Sequence, residues 1–135
     1  MDLTSSTELK LLLAAVTIGL VQLVWATVAG VSRARNLAWL LSPRDEQRPL
    51  TGVAAPRLDR AFRNFMETFP LFAAALIAAL MVGKEGTLTL WGSVLYVGGR
   101  ALYVPLYAVG LPVARTLIWT VSLIGVVMVV IAFFQ

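Results

Sequence analysis

The sequence contains no cysteine and no histidine among its 135 residues. Without cysteine the chain has no disulfide, no thiolate nucleophile of its own and no cysteine-ligated metal. Without histidine it lacks the commonest general base and the commonest metal ligand. We therefore predict no metal site, and any chemistry must use Arg, Tyr, Glu, Asp, Asn, Ser or Thr side chains or a bound cofactor.

Charged residues are also few. They make up 13% of the chain, whereas hydrophobic residues make up 59% and the mean hydropathy is +0.85. A soluble domain has about 25% charged and about 45–50% apolar residues, so the composition predicts an integral membrane protein. The net charge of +4 is concentrated in one loop and at helix ends, which argues against a nucleic-acid partner.

Four apolar stretches are each long enough to cross a membrane, which takes about 20 residues. The first is too long for the apolar region of a cleavable signal peptide, so we expect it to be retained. The sequence therefore predicts a single all-α membrane domain over residues 1–135, built as a bundle of four transmembrane helices. Their predicted spans are residues 9–31, 57–82, 87–109 and 112–135.

The single long loop, residues 32–56, sets the expected orientation. It holds four arginines, whereas the opposite side offers only Lys10 and Lys84. Lys and Arg are enriched in cytoplasmic loops, so this loop is expected in the cytoplasm and both termini on the other side. A composition rich in Ala, Val, Leu and Arg favours a bacterial inner membrane.

Four polar side chains are spaced so as to share one face of the second span. Arg60, Arg63, Asn64 and Glu67 fall at i, i+3, i+4 and i+7. The uncharged stretch 71–82 that follows carries this face into the membrane. Charge at membrane depth costs at least about 2.5–3.5 kcal/mol per residue and marks functional sites. We therefore expect the chemistry here.

The other spans bring further polar groups to the same half of the bundle. Arg100 lies at a depth similar to that of Glu67, which predicts a buried ion pair, either as a structural bridge or with Glu67 also holding a ligand ammonium or amide. Tyr103 and Tyr107 share the Arg100 face at i+3 and i+7. Arg115 lies across a short turn from Tyr107. Tyr107 and Arg115 also have a simpler interpretation as interfacial anchors.

Three further features of the spans are interpreted as structural. Gln22 is expected to form an inter-helix hydrogen bond. Pro105 removes a backbone donor and frees the carbonyl of Ala101, which we interpret as a local kink. Three tryptophans of the spans are interpreted as packing or interface anchors, namely Trp25, Trp91 and Trp119.

The combined pattern resembles a known family. The second span reads Arg60-Ala-x-Arg-Asn-x-Met-Glu, and the third reads Gly99-Arg-x-x-Tyr-x-x-x-Tyr before a short turn and an arginine. This resembles the MAPEG family (membrane-associated proteins in eicosanoid and glutathione metabolism) over about residues 49–120. The resemblance implies a homotrimer of four-helix protomers that binds glutathione between subunits on the cytoplasmic side.

The resemblance also implies roles for the binding residues. Arg60, Asn64 and Glu67 match positions that bind the charged ends and backbone of glutathione. Arg63 matches a glutathione-binding position of the prostaglandin-synthesising branch of the family. Arg100 matches the arginine that pairs with the span-two glutamate and is also implied to bind glutathione. Tyr103 and Tyr107 match the ligand positions of span three.

Catalysis is implied for three of the matched positions. Arg115 matches the arginine that lies against the glutathione thiol, although its spacing from Tyr107 differs by one residue from that of the leukotriene and prostaglandin branches. Tyr103 and Tyr107 would be hydrogen-bond donors. Thr68 replaces a ligand tyrosine of the leukotriene branch, and Tyr103 replaces a histidine of the prostaglandin branch, so neither eicosanoid substrate is implied.

These roles predict a glutathione-dependent transferase or peroxidase. It would form the glutathione thiolate and deliver it to lipophilic electrophiles or lipid hydroperoxides entering from the bilayer between the apolar faces of spans one and four. One alternative is a non-enzymatic lipid-binding or scaffold member of the same family. Another is a small four-span transporter using Glu67, although a pore needs polar lining along its whole length and this polar face reaches only half the membrane.

Overall fold

The computed structural model describes residues 6–135, so the first five residues of the predicted domain 1–135 lie outside the described part. The described residues form helices and connecting segments, which confirms the all-helical class. The helices, numbered in chain order, are α1 (Thr7–Ala29), α2 (Leu37–Leu40), α3 (Ala54–Met81), α4 (Thr87–Val109) and α5 (Pro112–Phe134).

Three of these helices are long and apolar enough to cross a membrane. Helices α1, α3 and α5 contain windows with mean hydropathies of 2.2, 1.5 and 2.7, which confirms an integral membrane protein. Helix α4 has 23 residues, the same length as α1 and α5, but it carries Arg100 in its buried face. The connections from α3 to α4 and from α4 to α5 are short, so these three helices must run in alternating directions.

Local sequence signals explain where the helices begin and end. Helix α1 begins at Thr7 because the side chain of Ser6 accepts a hydrogen bond from the backbone N–H of Leu9 at 3.4 Å. Helix α5 begins with Pro112, whose fixed φ suits the first helical position. Helix α3 begins at Ala54, three residues before the predicted start, since Pro56 is accommodated within its first turn.

Helices α4 and α5 approach closely because small residues line their contact. A Cβ atom added at Gly92 would lie 2.7 Å from the carbonyl oxygen of Gly125, and one added at Gly125 would lie 2.5 Å from the carbonyl oxygen of Gly92. Farther along, Gly99 faces the buried Ser122. Small residues that let two backbones meet are typical of membrane helix pairs. This contact sets how α5 presents Arg115 beside α4.

The two ends of the bundle differ in chemistry. At the end where α4 begins, Thr89 donates to the buried Glu8 carboxylate at 3.0 Å and Ser6 donates to Glu85 at 2.8 Å. The interior next to it is apolar, with Phe72 stacked on Tyr96 at 4.1 Å between ring centroids. The opposite end, where α3 begins and α4 ends, holds the arginines and tyrosines singled out from the sequence.

Candidate functional site

Arg100 is the most deeply buried charged residue of this end, with 1% of its surface exposed. Its two terminal nitrogens donate to Asn64 Oδ1 at 2.7 Å and to Thr68 Oγ1 at 2.6 Å. Residues 64 and 68 are one helical turn apart and face α4 together. Glu67 is exposed on α3, and among residues 6–135 no salt bridge joins it to Arg100. The predicted Glu67–Arg100 ion pair is therefore wrong for this chain.

The Arg100 guanidinium is also held between two aromatic rings. Its central carbon lies 5.5 Å from the ring centroid of Tyr96 and 5.3 Å from that of Tyr103, within the range of a cation–π contact. The Tyr96 hydroxyl lies 3.2 Å from Thr68 Oγ1. Thr68 and Tyr96 were not predicted from the sequence as partners of Arg100. The available signal was that Tyr96 is one turn before Arg100 on the same face of α4.

Tyr107 joins residues from three helices. Its hydroxyl accepts a hydrogen bond from Arg60 Nε at 3.0 Å. The guanidinium of Arg115 lies 4.6 Å from its ring centroid, and the ring of Tyr103 lies 5.5 Å away. The structure thus brings together Arg60 from α3, Tyr103 and Tyr107 from α4, and Arg115 from α5. These contacts agree with the prediction, made from residue spacing, that these side chains lie in the same half of the bundle.

A small cavity lies between these helices. Its volume is about 140 Å³, and Asn64, Tyr103, Arg115, Thr116 and Trp119 line it. The indole Nε1 of Trp119 is buried and has no hydrogen-bond partner in the described part of the chain. Trp119, which we interpreted as a packing or interface anchor, therefore lines the cavity that Arg115 and Tyr103 share and has an unpartnered N–H buried in its wall. We call this space the inner cavity.

A larger cavity opens beside it, with a volume of about 550 Å³. Four arginines line this space, which we call the arginine cavity. Two of them, Arg35 and Arg48, come from the long loop and were used from the sequence only to set the orientation. The four arginines are Arg35, Arg48, Arg60 and Arg63.

The loop is folded so as to present its arginines to the arginine cavity. The guanidinium of Arg35 lies 4.8 Å from the ring centroid of Trp39, whose indole N–H donates to the carbonyl of Glu46 at 3.0 Å. Arg48 pairs with Glu46 at 2.9 Å and donates to the carbonyl of Ala34. Contacts of Trp39 within the loop therefore hold the two arginines in place.

Arg60 and Arg63 play different parts on the predicted α3 face. Arg63 forms an i,i+4 salt bridge with Asp59 at 2.6 Å, on the side of the arginine cavity. Arg60 lines the same cavity and also donates to Tyr107. Arg60 therefore connects the arginine cavity to the group that holds Arg115. Glu67 lines neither cavity and faces outward from the chain.

The turn between α4 and α5 is fixed by Arg57. Its guanidinium donates to the carbonyl of Ala108 at 3.1 Å and packs against Gly110. Gly110 ends α4 with a φ of +85°, and a Cβ atom there would lie 2.7 Å from Arg57. Only glycine suits such a position. The turn thereby places Arg115 one helical turn into α5, against Tyr107.

Comparison with known proteins gives one match. The family model of the MAPEG family matches residues 11–134, a range that contains every residue of the two cavities. No curated protein and no solved structure matches the chain. The resemblance noted from the sequence motifs is thereby confirmed.

Proposed function

Because the chain belongs to the MAPEG family, which includes glutathione transferases and peroxidases, we propose that it is a membrane-embedded glutathione-dependent transferase or peroxidase. The observation that carries the proposal is that Arg60, which lines the arginine cavity, donates to Tyr107, whose ring holds Arg115 of the inner cavity. The arginine cavity is suited to anionic groups, and the inner cavity beside it presents Arg115, Tyr103 and Trp119 to a reactive atom.

The chemical groups of glutathione suit an arginine cavity that binds anionic groups and an inner cavity that holds the reactive atom. The molecule carries two carboxylates, one ammonium and one thiol. Arginine forms bidentate hydrogen bonds with carboxylates, so Arg35, Arg48 and Arg60 are suited to bind its carboxylate ends. Asn64 and Tyr103, which line the inner cavity, are placed to contact the backbone and the cysteinyl part of the molecule.

Arg115 is proposed to stabilise the thiolate. A cysteine thiol has a pKa of about 8.5, so only a few per cent is ionised at pH 7. A nearby cation favours the anion. Lowering the glutathione thiol pKa by about two units requires about 2.7 kcal/mol of differential stabilisation, which is reasonable for one poorly solvated arginine. The hydroxyl of Tyr103 and the indole N–H of Trp119 can donate hydrogen bonds to the same sulfur.

The thiolate would react in one of two ways. With a lipophilic electrophile, the sulfur forms a bond to carbon. In a substitution the electron pair of the broken bond leaves with the departing group, and in an addition it takes up a proton. With a lipid hydroperoxide, the sulfur attacks the distal oxygen and the O–O bond breaks. The departing lipid alkoxide then takes a proton to become the alcohol, and a second glutathione reduces the resulting glutathione sulfenic acid, which gives glutathione disulfide and water.

Arg100 is proposed to position the site instead of touching glutathione. Both of its terminal nitrogens already donate to α3, to Asn64 and Thr68, and it does not line either cavity. Through Asn64 it fixes one wall of the inner cavity, and by stacking it fixes Tyr103. The binding role implied for Arg100 by the resemblance stays a prediction.

The short helix connections and the position of the arginines support the four-span topology and its orientation. If α3 and α5 cross the membrane, α4 must also cross it, because only residues 82–86 and 110–111 connect it to them. The loop arginines and those of the α3 entrance lie at the same end of the bundle, and positive charge favours the cytoplasmic side. We therefore propose four spans with the site facing the cytoplasm, and the inner membrane of a bacterium as the location.

Glu67 supports an assembly of several copies. It lies ten residues beyond Arg57, about 15 Å along the helix, and its carboxylate is exposed on the single chain. A carboxylate facing lipid at that depth is costly. We propose that a neighbouring copy covers this face in a homotrimer. Glutathione bound between copies would place its ammonium against Glu67.

The test is the formation of the thiolate on mixing. Glutathione is expected to raise the thermal stability of the purified protein and to produce the ultraviolet thiolate band. Arg115→Ala should abolish the band, and Arg33→Ala, an exposed loop arginine outside both cavities, should not. If glutathione neither stabilised the wild-type protein nor produced the thiolate band, the proposal would be contradicted. Binding and a thiolate band without turnover of varied electrophiles or hydroperoxides would indicate the non-enzymatic member of the family.

A further inference from the structure

A third cavity lies on the side of α4 formed by Ala101, Val104 and Pro105, between α4 and α1. Its volume is about 330 Å³, and its walls include Gln22, Val21 and Trp25 from α1 and Ala101 and Pro105 from α4. None of the lining residues carries a charge. We call this space the α1–α4 cavity.

Gln22 is the unusual residue of this cavity. Only 3% of its surface is exposed, and neither its amide nitrogen nor its amide oxygen has a hydrogen-bond partner within residues 6–135. The predicted inter-helix hydrogen bond of Gln22 therefore does not form among the described helices. A buried amide left without partners costs about 1–3 kcal/mol. Such a residue in a membrane helix needs a partner other than the residues that the structure describes.

A second polar atom reaches the same wall. Pro105 has no N–H, so the carbonyl of Ala101, one turn before it, loses its usual helical donor. Both residues are exposed at the cavity. Thr17 offers no free donor there, because its hydroxyl already donates to the carbonyl of Leu13 at 2.9 Å. The wall of the cavity thus contains one amide donor and two acceptors, the Gln22 oxygen and the Ala101 carbonyl, and the Gln22 amide is buried behind its apolar lining.

We propose that the α1–α4 cavity binds a lipophilic molecule that carries a neutral hydroxyl group on a hydrocarbon chain. A hydroxyl both donates and accepts, so once the buried Gln22 side chain turns toward the cavity it can accept from the Gln22 amide and donate to either free oxygen. A charged headgroup is disfavoured because no lining residue would neutralise it. The apolar surface continues along α1 through Val24 and Val28, where the hydrocarbon chain can lie.

This site is separate from the proposed glutathione site. Its α4 residues, Ala101 and Pro105, flank Tyr103 in sequence but line a different cavity. It shares no residue with the inner cavity or the arginine cavity. The lipophile therefore binds whether or not glutathione is activated, and removal of Gln22 is expected to leave the thiolate band unchanged.

Photo-crosslinking in nanodiscs tests the proposal. The probe is a long-chain alcohol with a diazirine on the chain, and the matched probe is the same hydrocarbon without the hydroxyl. We expect the alcohol to label residues 17–28 or 101–105 saturably, with competition by 1-tetradecanol and not by tetradecane. Gln22→Leu should weaken this labelling by about three- to tenfold, the usual effect of one hydrogen bond. Gln47→Leu, a loop glutamine exposed to solvent, is the control.

Gln22→Leu is expected to fold, since replacing an unpaired buried amide by an apolar side chain of similar size relieves a cost. Equal labelling by both probes, or unchanged labelling in Gln22→Leu, would overturn the proposal. So would dissociation of the assembled protein in Gln22→Leu on size-exclusion chromatography, because Gln22 would then be paired with a neighbouring copy.

Discussion

The guanidinium of Arg115 lies over the ring of Tyr107, with its central carbon 4.6 Å from the ring centroid. The hydroxyl of the same tyrosine accepts a hydrogen bond from Arg60. Tyr107 therefore holds two arginines by two different parts of its side chain. The ring orients the arginine proposed for the thiolate, and the hydroxyl orients the arginine that reaches the arginine cavity.

Tyr107→Phe and Tyr103→Phe are predicted to affect different kinetic constants. Tyr107→Phe keeps the ring under Arg115 but removes the acceptor of Arg60, so the KM for glutathione should rise by about tenfold with little change in kcat. Tyr103→Phe removes a donor proposed for the sulfur, so kcat should fall by about tenfold or more. Steady-state kinetics with a lipophilic electrophile measures both constants.

A second observable separates these tyrosine effects from misfolding. The thiolate band at saturating glutathione should persist in Tyr107→Phe and weaken in Tyr103→Phe. If both variants raised KM alone, the proposed role of Tyr103 at the sulfur would be contradicted.

Thr68→Val is predicted to destabilise the protein by about 1–3 kcal/mol. The substitution nearly preserves shape but removes the oxygen that accepts from Arg100 at 2.6 Å and lies 3.2 Å from the Tyr96 hydroxyl. A buried charged donor that loses its acceptor carries most of this cost. Thermal unfolding in detergent measures the change.

Thr116→Val is the matched control for Thr68→Val. Thr116 is exposed, and its hydroxyl donates only to the carbonyl of Pro112 one turn earlier, at 2.9 Å. Its replacement should change stability by less than about 0.5 kcal/mol. If both variants lost the same free energy of unfolding, the contact of Thr68 with Arg100 would contribute nothing beyond the hydrogen bond of a threonine to its own helix.

The sequence carried most of the information about the helices. Long apolar stretches predicted the long helices closely, with α4 matching its predicted range of 87–109, because membrane-spanning length is a strong signal. Helices α1 and α3 begin two and three residues before their predicted starts. The Ser6 cap and the tolerance of a helix for Pro56 in its first turn account for these shifts.

The site could be predicted only in part. Spacing along α4 and the short turn to α5 placed Tyr103, Tyr107 and Arg115 at one end of the bundle. Spacing along α3 could not say which of Asn64, Glu67 or Thr68 faces Arg100, since the rotation of a helix about its axis is set by packing. Glu67 was selected because its negative charge lies at the depth of Arg100. The neutral oxygens that accept from Arg100, those of Asn64 and Thr68, were missed.

The loop residues and Trp119 were missed for a different reason. Arg35 and Arg48 reach the arginine cavity through contacts with Trp39 and Glu46, which are separated from α3 by a segment of irregular backbone. No periodicity constrains such a segment. Trp119 follows Arg115 by one helical turn, so its place on the same face of α5 could have been inferred from spacing alone.

Gly92→Ala and Gly98→Ala are predicted to have opposite effects. At Gly92 the added Cβ meets the carbonyl oxygen of Gly125 at 2.7 Å, so the α4–α5 contact must open, at a cost of about 1–3 kcal/mol. At Gly98 nothing lies within 4 Å. Alanine is the better helix former by up to about 1 kcal/mol, so Gly98→Ala should be neutral or slightly stabilising.

Enzyme activity provides a second measurement on the Gly92→Ala and Gly98→Ala variants. Opening the α4–α5 contact would move Arg115 relative to Tyr107, so Gly92→Ala should also lower kcat, whereas Gly98→Ala should retain it. Equal unfolding temperatures for the two variants would contradict the close packing of α4 and α5.

Glu67→Gln tests both the orientation of glutathione and the assembly of the protein. If the Glu67 carboxylate holds the ligand ammonium, its loss should weaken glutathione binding by about tenfold or more, as expected for a hydrogen bond between charged groups. Asp45→Asn, a change to an exposed loop carboxylate, should leave affinity unchanged. A deamino analogue of glutathione, which lacks the ammonium, should bind the wild type and Glu67→Gln equally, because the interacting pair is already broken. Equal losses of affinity for glutathione and for the analogue, accompanied by dissociation on size-exclusion chromatography, would instead mean that Glu67 holds neighbouring copies together and does not contact the ammonium.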